Sequence, residues 1–214
     1  MPLLDMYLAV RQTSMQLCAP LSAEDHGLQP TPDASPAKWH LAHTTWFFET
    51  FVLSEYVDGY CPLQPDFRSL FNSYYNAVGD RPLRALRHIL SRPSLDEVHA
   101  YRDYIDETMS RFLSDDLAPE VLALVTLGIN HEQQHQELII TDVKNGLWTN
   151  PLRPAYRATL KDHEAVSSAQ ALPLEWRNLG AGMYTIGFQG EGFKFDNEGP
   201  GTRFTWNRTA SPHG

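Results

Sequence analysis

A chain of 214 residues, 42% hydrophobic and 20% charged, is long enough for one good core, or for one domain and part of another, and reads as globular and soluble rather than disordered or fibrous. The formal net charge is −9, and no stretch gathers the 17 Lys and Arg residues into a basic stripe. This argues against a nucleic-acid surface and against docking on anionic lipid. Cys18 and Cys61 make no disulfide framework, the opening MPLLDMYLAVRQ lacks the regions of a signal peptide, and no apolar run is long enough to span a bilayer, so a reducing cytoplasm is the expected compartment.

Helical periodicity marks four segments ahead of residue 148. The first covers roughly 3–18 and is ended by Pro20. The second is predicted from Ser35-Pro36, read as an N-cap followed by proline at the first helical position, to about Tyr56. Cys61 to Pro93 is an aromatic, proline-containing stretch that includes Phe71-Asn72-Ser73-Tyr74-Tyr75 and is too long for a simple turn. The third helix opens on Ser94-Leu95-Asp96-Glu97, which has capping-box spacing, and runs to about Leu113. The fourth starts near Ala118-Pro119 and runs to Gly146, the expected C-cap. Four helices with one long crossover predict a mainly α fold, a four-helix bundle over residues 1–148, whose core is a usual place for metal sites.

The character then changes. Residues 149–173 hold Pro151, Pro154 and Pro173 and read as a linker. From Trp176 the pattern is strand-like and glycine-rich, so residues 174–214 are expected to open a second domain of β and irregular structure. About forty residues are too few for an independent core, and the chain is expected to be truncated there.

The sharpest chemical signal is His131-Glu132-Gln133-Gln134-His135. On a helix, positions i and i+4 lie about 40° apart, so both imidazoles project from one face, to which Leu138 returns and ties the pair to the core. Neutral imidazole suits Zn, Fe, Cu and Ni; the plain alternative is a polar surface run. In the second helix His43 shares its face with Trp39, Trp46, Phe47 and Thr50 and is expected to point into the bundle. A buried imidazole needs a partner. That partner is either a hydroxyl or carbonyl or, more economically given the second histidine-bearing helix, a shared metal. His40, about 60° off that face, is a weaker candidate. The HEQQH run also fits the zinc-peptidase pattern with Glu132 as general base. Leu138 and Thr141 stand where its extended form needs Gly and His, and no strand-bearing subdomain precedes it. Glu137 faces away from the pair, whereas Gln134 flanks it and can present its amide to a ligand or water.

Three groups of residues, Ser35-Pro36-x-x-Trp39-His40-Leu41-Ala42-His43, Phe71-Asn72-Ser73-Tyr74-Tyr75 and His131-x-x-x-His135-x-Glu137, resemble the DinB-like domain of the sulfoxide synthases of ergothioneine biosynthesis. Leu152-Arg153-Pro154-Ala155-Tyr156 is also similar to that family. Phe193-Lys194-Phe195-Asp196-Asn197-Glu198 resembles the opening of its formylglycine-generating-enzyme-like, C-type-lectin-like (sulfatase-modifying-factor) α+β domain. The resemblance implies that His43, His131 and His135 bind Fe(II). It implies O2-dependent C–S bond formation between cysteine or γ-glutamylcysteine and C2 of the Nα-trimethylhistidine imidazole, giving a sulfoxide. Three neutral imidazoles leave the ion's full charge, which favours an anionic thiolate, and an aromatic pocket suits a quaternary ammonium group. By the same resemblance Gln134 contacts the substrate imidazole, and Tyr74 or Tyr75 donates a hydrogen bond or proton near bound oxygen. Arg84 and Arg87 either bind a substrate carboxylate or are solvated helix charges. The departure is Thr209 to Gly214, which matches nothing in the lectin-like domain, so a missing C-terminal half supplied by another chain is expected. A different DinB-like metalloenzyme, such as a thiol transferase or hydrolase using Zn or Ni, and a metal-binding remnant are the alternatives.

Overall fold

The computed structural model describes residues 2–73, 82–157 and 180–207. They fall into two units, Met1–Ala158 and Thr159–Gly214. The first is helical, with α1 (Leu3–Cys18), α2 (Ala37–Phe48), the short α3 (Ser54–Tyr56) and α4 (Phe67–Leu70), α5 (Leu95–Phe112) and α6 (Pro119–Thr149). α1 buries Tyr7, Val10, Arg11, Ser14 and Cys18, a set spaced by threes and fours that makes one inward stripe. α2 differs: every residue except Lys38 is buried, and it packs against α1, α5 and α6. A helix surrounded on all sides is a bundle's central member. Its path continues through a widened π-helical stretch, Glu49–Leu53, into α3, so the predicted helix to Tyr56 is real but not uniformly α. Glu49 there accepts hydrogen bonds from the Tyr60 and Tyr101 hydroxyls.

The ends of the helices separate correct from incorrect readings. At α5 the capping box is formed: Glu97 N donates to Ser94 Oγ at 3.2 Å and Ser94 N donates to Glu97 Oε2 at 2.6 Å. At α2 the cap is Pro36, whose carbonyl accepts from His40 N at 3.1 Å. Ser35 is not the cap; its amide donates to Asp142 and its hydroxyl accepts from Arg87. Gly146 is likewise not a C-cap. It lies buried inside α6, which runs on to Thr149, and a Cβ there would meet Leu28 Cδ2 at 2.3 Å. The glycine answers a close approach rather than a left-handed backbone.

All four long helices meet at one buried carboxylate. Glu132 of α6 is 0% exposed. Its Oε2 accepts from Arg11 Nη1 of α1 at 3.0 Å, and its Oε1 accepts from Arg102 Nη2 of α5 at 2.9 Å and from Ser14 Oγ at 2.7 Å. The same guanidiniums reach α2, where Arg11 Nη2 donates to Thr45 Oγ1 and Arg102 Nη1 donates to the Leu41 carbonyl. Burial alone would raise the Glu132 pKa; the two guanidiniums and the Ser14 hydroxyl overcome this and hold it at about 2. One turn earlier, Gly128 lets α6 close on α2, since a Cβ there would meet Phe48 Cε1 at 2.5 Å and Phe47 Cε1 at 2.8 Å.

In the second unit, β1 (Gly182–Ile186) pairs antiparallel with β2 (Thr202–Trp206), Gly182 opposite Trp206 and Ile186 opposite Thr202. Gly187, just after β1, has φ +112°, a conformation that favours glycine. Among the described residues no helix is long and apolar enough to cross a membrane.

Two outcomes follow for stability. Removing one member of a buried ion cluster costs about 3–5 kcal/mol, so Glu132→Gln should lower the free energy of urea unfolding by about that much. Because the folded pKa is depressed from the usual 4.5 to about 2, the Glu132 contribution is present above pH about 4.5 and is lost as the pH falls toward 2. The wild type should therefore lose stability across that window more steeply than the variant. Gly128→Ala should destabilise in the same assay, because crowding against two rigid rings, about 1–3 kcal/mol, outweighs alanine's ~1 kcal/mol helix-propensity advantage.

Candidate metal centre

The cluster is assembled from α2 and α6. His43 is buried between two indoles, stacked on Trp39 with centroids 4.5 Å apart at 13° and on Trp46 at 5.2 Å and 17°. Its Nδ1 lies 2.6 Å from the Phe71 carbonyl. A carbonyl only accepts, so Nδ1 carries the hydrogen and Nε2 keeps its lone pair. Across from it, α6 delivers His131 and His135 on one face, as their i, i+4 spacing requires. The three ring centroids form a nearly equilateral triangle: His43–His131 5.1 Å, His43–His135 4.8 Å and His131–His135 4.6 Å. One ring nitrogen from each lies within 4.8 Å of the others.

This donor set fits a transition metal. Ligand imidazoles must be neutral, and burial pushes all three below the usual range. His131 falls to about 4, and burial holds His43 and His135 well below the usual imidazole value, with the neighbouring histidines adding to the desolvation. The Nδ1 of His131 is buried without a hydrogen-bond partner among the described residues, an unusual state for a polar atom unless something else meets that ring. His40 joins the group from α2. Its Nδ1 is 2.8 Å from His135 Nδ1 and its Nε2 is 3.2 Å from Asp142 Oδ2. Burial lowers the His40 pKa, although Asp142 opposes the shift, so this ring too is neutral at pH 7. His40 also lines the cavity, beside the three-histidine cluster and in contact with His135. Asp142 was not singled out from the sequence; its only prior signal is that it lies seven residues, two turns, after His135 on the same face.

The cluster forms one wall of a cavity of about 450 Å³, whose other lining residues include Trp39, Arg84, Arg87 and Gln134. Arg87 is buried, donates to Ser35 Oγ at 2.7 Å and Ser73 Oγ at 3.1 Å, and lies over the Trp39 ring at 3.3 Å from its centroid. Arg84 and Gln134 are exposed at the mouth. Leu138 departs from the sequence reading: it is 38% exposed and lines the cavity mouth instead of tying the pair to the core. Glu137 is exposed. Tyr74 and Tyr75 lie outside the described residues. Among the described residues no carboxylate lines the cavity, and its two formal charges are both cationic. A groove of similar size along the C-terminal half of α6, lined by Val143, Leu147, Trp148 and Tyr156, has no histidine and no metal-binding chemistry. The peptidase reading fails on geometry, because Glu132 is locked in its ion cluster and is not available as a base beside the histidine pair.

A helical bundle whose central helix and longest helix converge three neutral imidazoles on one cavity offers the kind of site in which bundles hold a metal between helices. A DinB superfamily domain is matched over residues 6–139, which covers most of the chain and all three histidines, and the chain belongs to that superfamily. DinB-like domains typically bind metal and are often metal-dependent enzymes. No curated protein matches the chain.

Each of His43→Ala, His131→Ala and His135→Ala should reduce the metal content of anaerobically loaded protein from about one ion per chain to near none, read by elemental analysis. Thermal melts of the metal-free variants should separate loss of a ligand from loss of the fold.

Proposed function

We propose that this chain is the metal-binding part of an Fe(II)- and O2-dependent sulfoxide synthase of the ergothioneine type. It would join the sulfur of cysteine or γ-glutamylcysteine to C2 of the Nα-trimethylhistidine imidazole. The observation that carries the reading is a three-imidazole centre set in a cavity that, among the described residues, has no carboxylate and whose formal charges are the cations Arg84 and Arg87. An ion held by neutral ligands keeps its full positive charge, and with the two guanidiniums it favours a thiolate and substrate carboxylates. Bound iron would supply the oxygen chemistry that an oxidative C–S bond requires. The reaction balances as thiol plus imidazole C–H plus O2 giving sulfoxide plus water, with dioxygen accepting all four electrons.

The protein's own residues then have distinct tasks. His43, His131 and His135 hold the ion. Arg84 and Arg87 orient a substrate carboxylate, Arg87 from a fixed position on Trp39 and Arg84 from the mouth. The Gln134 amide hydrogen-bonds the substrate imidazole, and Tyr74 or Tyr75 donates a proton near the reacting oxygen. Trp39 lines the cavity with its ring already covered by His43 and by the Arg87 guanidinium, so the indoles hold the site's own groups in place. In this reading the β1–β2 hairpin belongs to a formylglycine-generating-enzyme-like domain, and the protein works in the cytoplasm. The same three imidazoles also suit Zn or Ni, which keeps a DinB-like thiol transferase or hydrolase as the second reading.

Oxygen uptake decides between them. Fe(II)-loaded protein given trimethylhistidine and a thiol should consume about one O2 per sulfoxide formed, and only with both substrates present. Turnover that proceeds anaerobically, or equally well with Zn, would support the transferase or hydrolase. Arg84→Ala should raise the KM for the carboxylate-bearing substrate by about tenfold with little change in kcat.

A further inference from the structure

Beside the three-histidine cluster runs a chain of polar contacts that no ligand role accounts for. Asp142 Oδ2 receives two contacts at once, the Ser35 backbone amide at 2.9 Å and His40 Nε2 at 3.2 Å. Ser35 is itself held through its hydroxyl by Arg87. On its other side, His40 Nδ1 meets His135 Nδ1 at 2.8 Å. Two imidazole nitrogens facing each other at that distance need one hydrogen between them, and the open question is which ring provides it.

We infer that Asp142 and His40 are positioning residues that fix the tautomer of His135, so that its Nε2 is the nitrogen presented to the cavity with a free lone pair. A carboxylate has no hydrogen to give, so His40 must donate to it through Nε2–H. A neutral imidazole carries a single N–H, which leaves His40 Nδ1 as an acceptor. The facing His135 Nδ1 must then be the donor, and His135 Nε2 is unprotonated. The direction is set at the far end, where the Ser35 amide can only donate and therefore keeps an oxygen, not a hydrogen, pointed at His40. His43 reaches the same tautomer by a shorter route, through the Phe71 carbonyl. Two of the three rings are thus prepared for a metal before any ion arrives, and ordering of ligand rings by such outer partners is worth roughly 10–100-fold in affinity. The Ser35-Pro36-x-x-Trp39-His40 run gains a physical meaning from this: its serine anchors the carboxylate and its histidine transmits the hydrogen-bond direction.

The inference rests on the three histidines being the metal site, but its first test does not need a metal. Long-range 1H–15N NMR on the metal-free, 15N-histidine-labelled full chain distinguishes the two protonated nitrogens of each ring. His40 should appear as the Nε2–H form and His135 as the Nδ1–H form; His135 protonated at Nε2 overturns the relay. Asp142→Asn keeps an oxygen acceptor and should retain both tautomers, whereas Asp142→Leu should populate the Nε2–H form of His135 and weaken metal binding by about tenfold or more. Should the leucine variant fail to fold, the wild-type and asparagine spectra still decide the matter. Expected tautomers in a protein that binds no metal would sink the metal reading alone, while tight metal binding with reversed tautomers would sink the relay alone.

Discussion

The bundle depends on the buried carboxylate of Glu132. Glu132 is removed from water and surrounded by Arg11, Arg102 and Ser14, contributed by two other long helices, while both guanidiniums also bond to the central helix. An isolated carboxylate at this depth would be neutralised; here the paired cations keep it ionised and make every partner depend on the others. Such a cluster adds less net stability than its Coulomb attraction suggests, because desolvation offsets most of it. It does impose geometry. With Glu132 held from two directions, α6 cannot rotate about its axis, and its neighbours His131 and, one turn on, His135 are committed to the side that faces His43.

The approach of the two histidine-bearing helices has its own cause. Gly128 removes the one Cβ that would collide with Phe47 and Phe48, and α2, buried on nearly every face, has no freedom to shift away. His43 is then clamped between Trp39 and Trp46 and fixed at Nδ1 by a carbonyl. The three imidazoles converge because the backbone under them is rigid and their rings are packed or hydrogen-bonded from behind, which is what a metal site requires of its scaffold.

What could be read from the sequence follows a physical division. Features set by the helical period were legible: the extents of α1 and α5, the capping box at Ser94, the shared face of His131 and His135, and the inward aim of His43. Features set by contacts between segments far apart in sequence were not. Nothing local in Arg11, Arg102 and Glu132 marks them as one cluster, and nothing links His40 to Asp142, 102 residues away. Gly146 was misread because a glycine near a helix end serves either a left-handed cap or a close approach, and only the position of Leu28 distinguishes them. Leu138 was misread because the cavity interrupts the face that periodicity alone would bury.

Chemically, the site combines three neutral imidazoles with two guanidiniums, a combination that would hold a metal ion and suits anions more than cations. The whole reading stands on one claim, that α2 and α6 place three imidazoles around a single ion. X-ray absorption at the iron edge of the anaerobically Fe(II)-loaded protein tests it directly. The spectrum should show the multiple scattering of three imidazoles, and the iron signal should be nearly lost in His43→Ala. A shell with one imidazole or none, or one unchanged by that substitution, would contradict it.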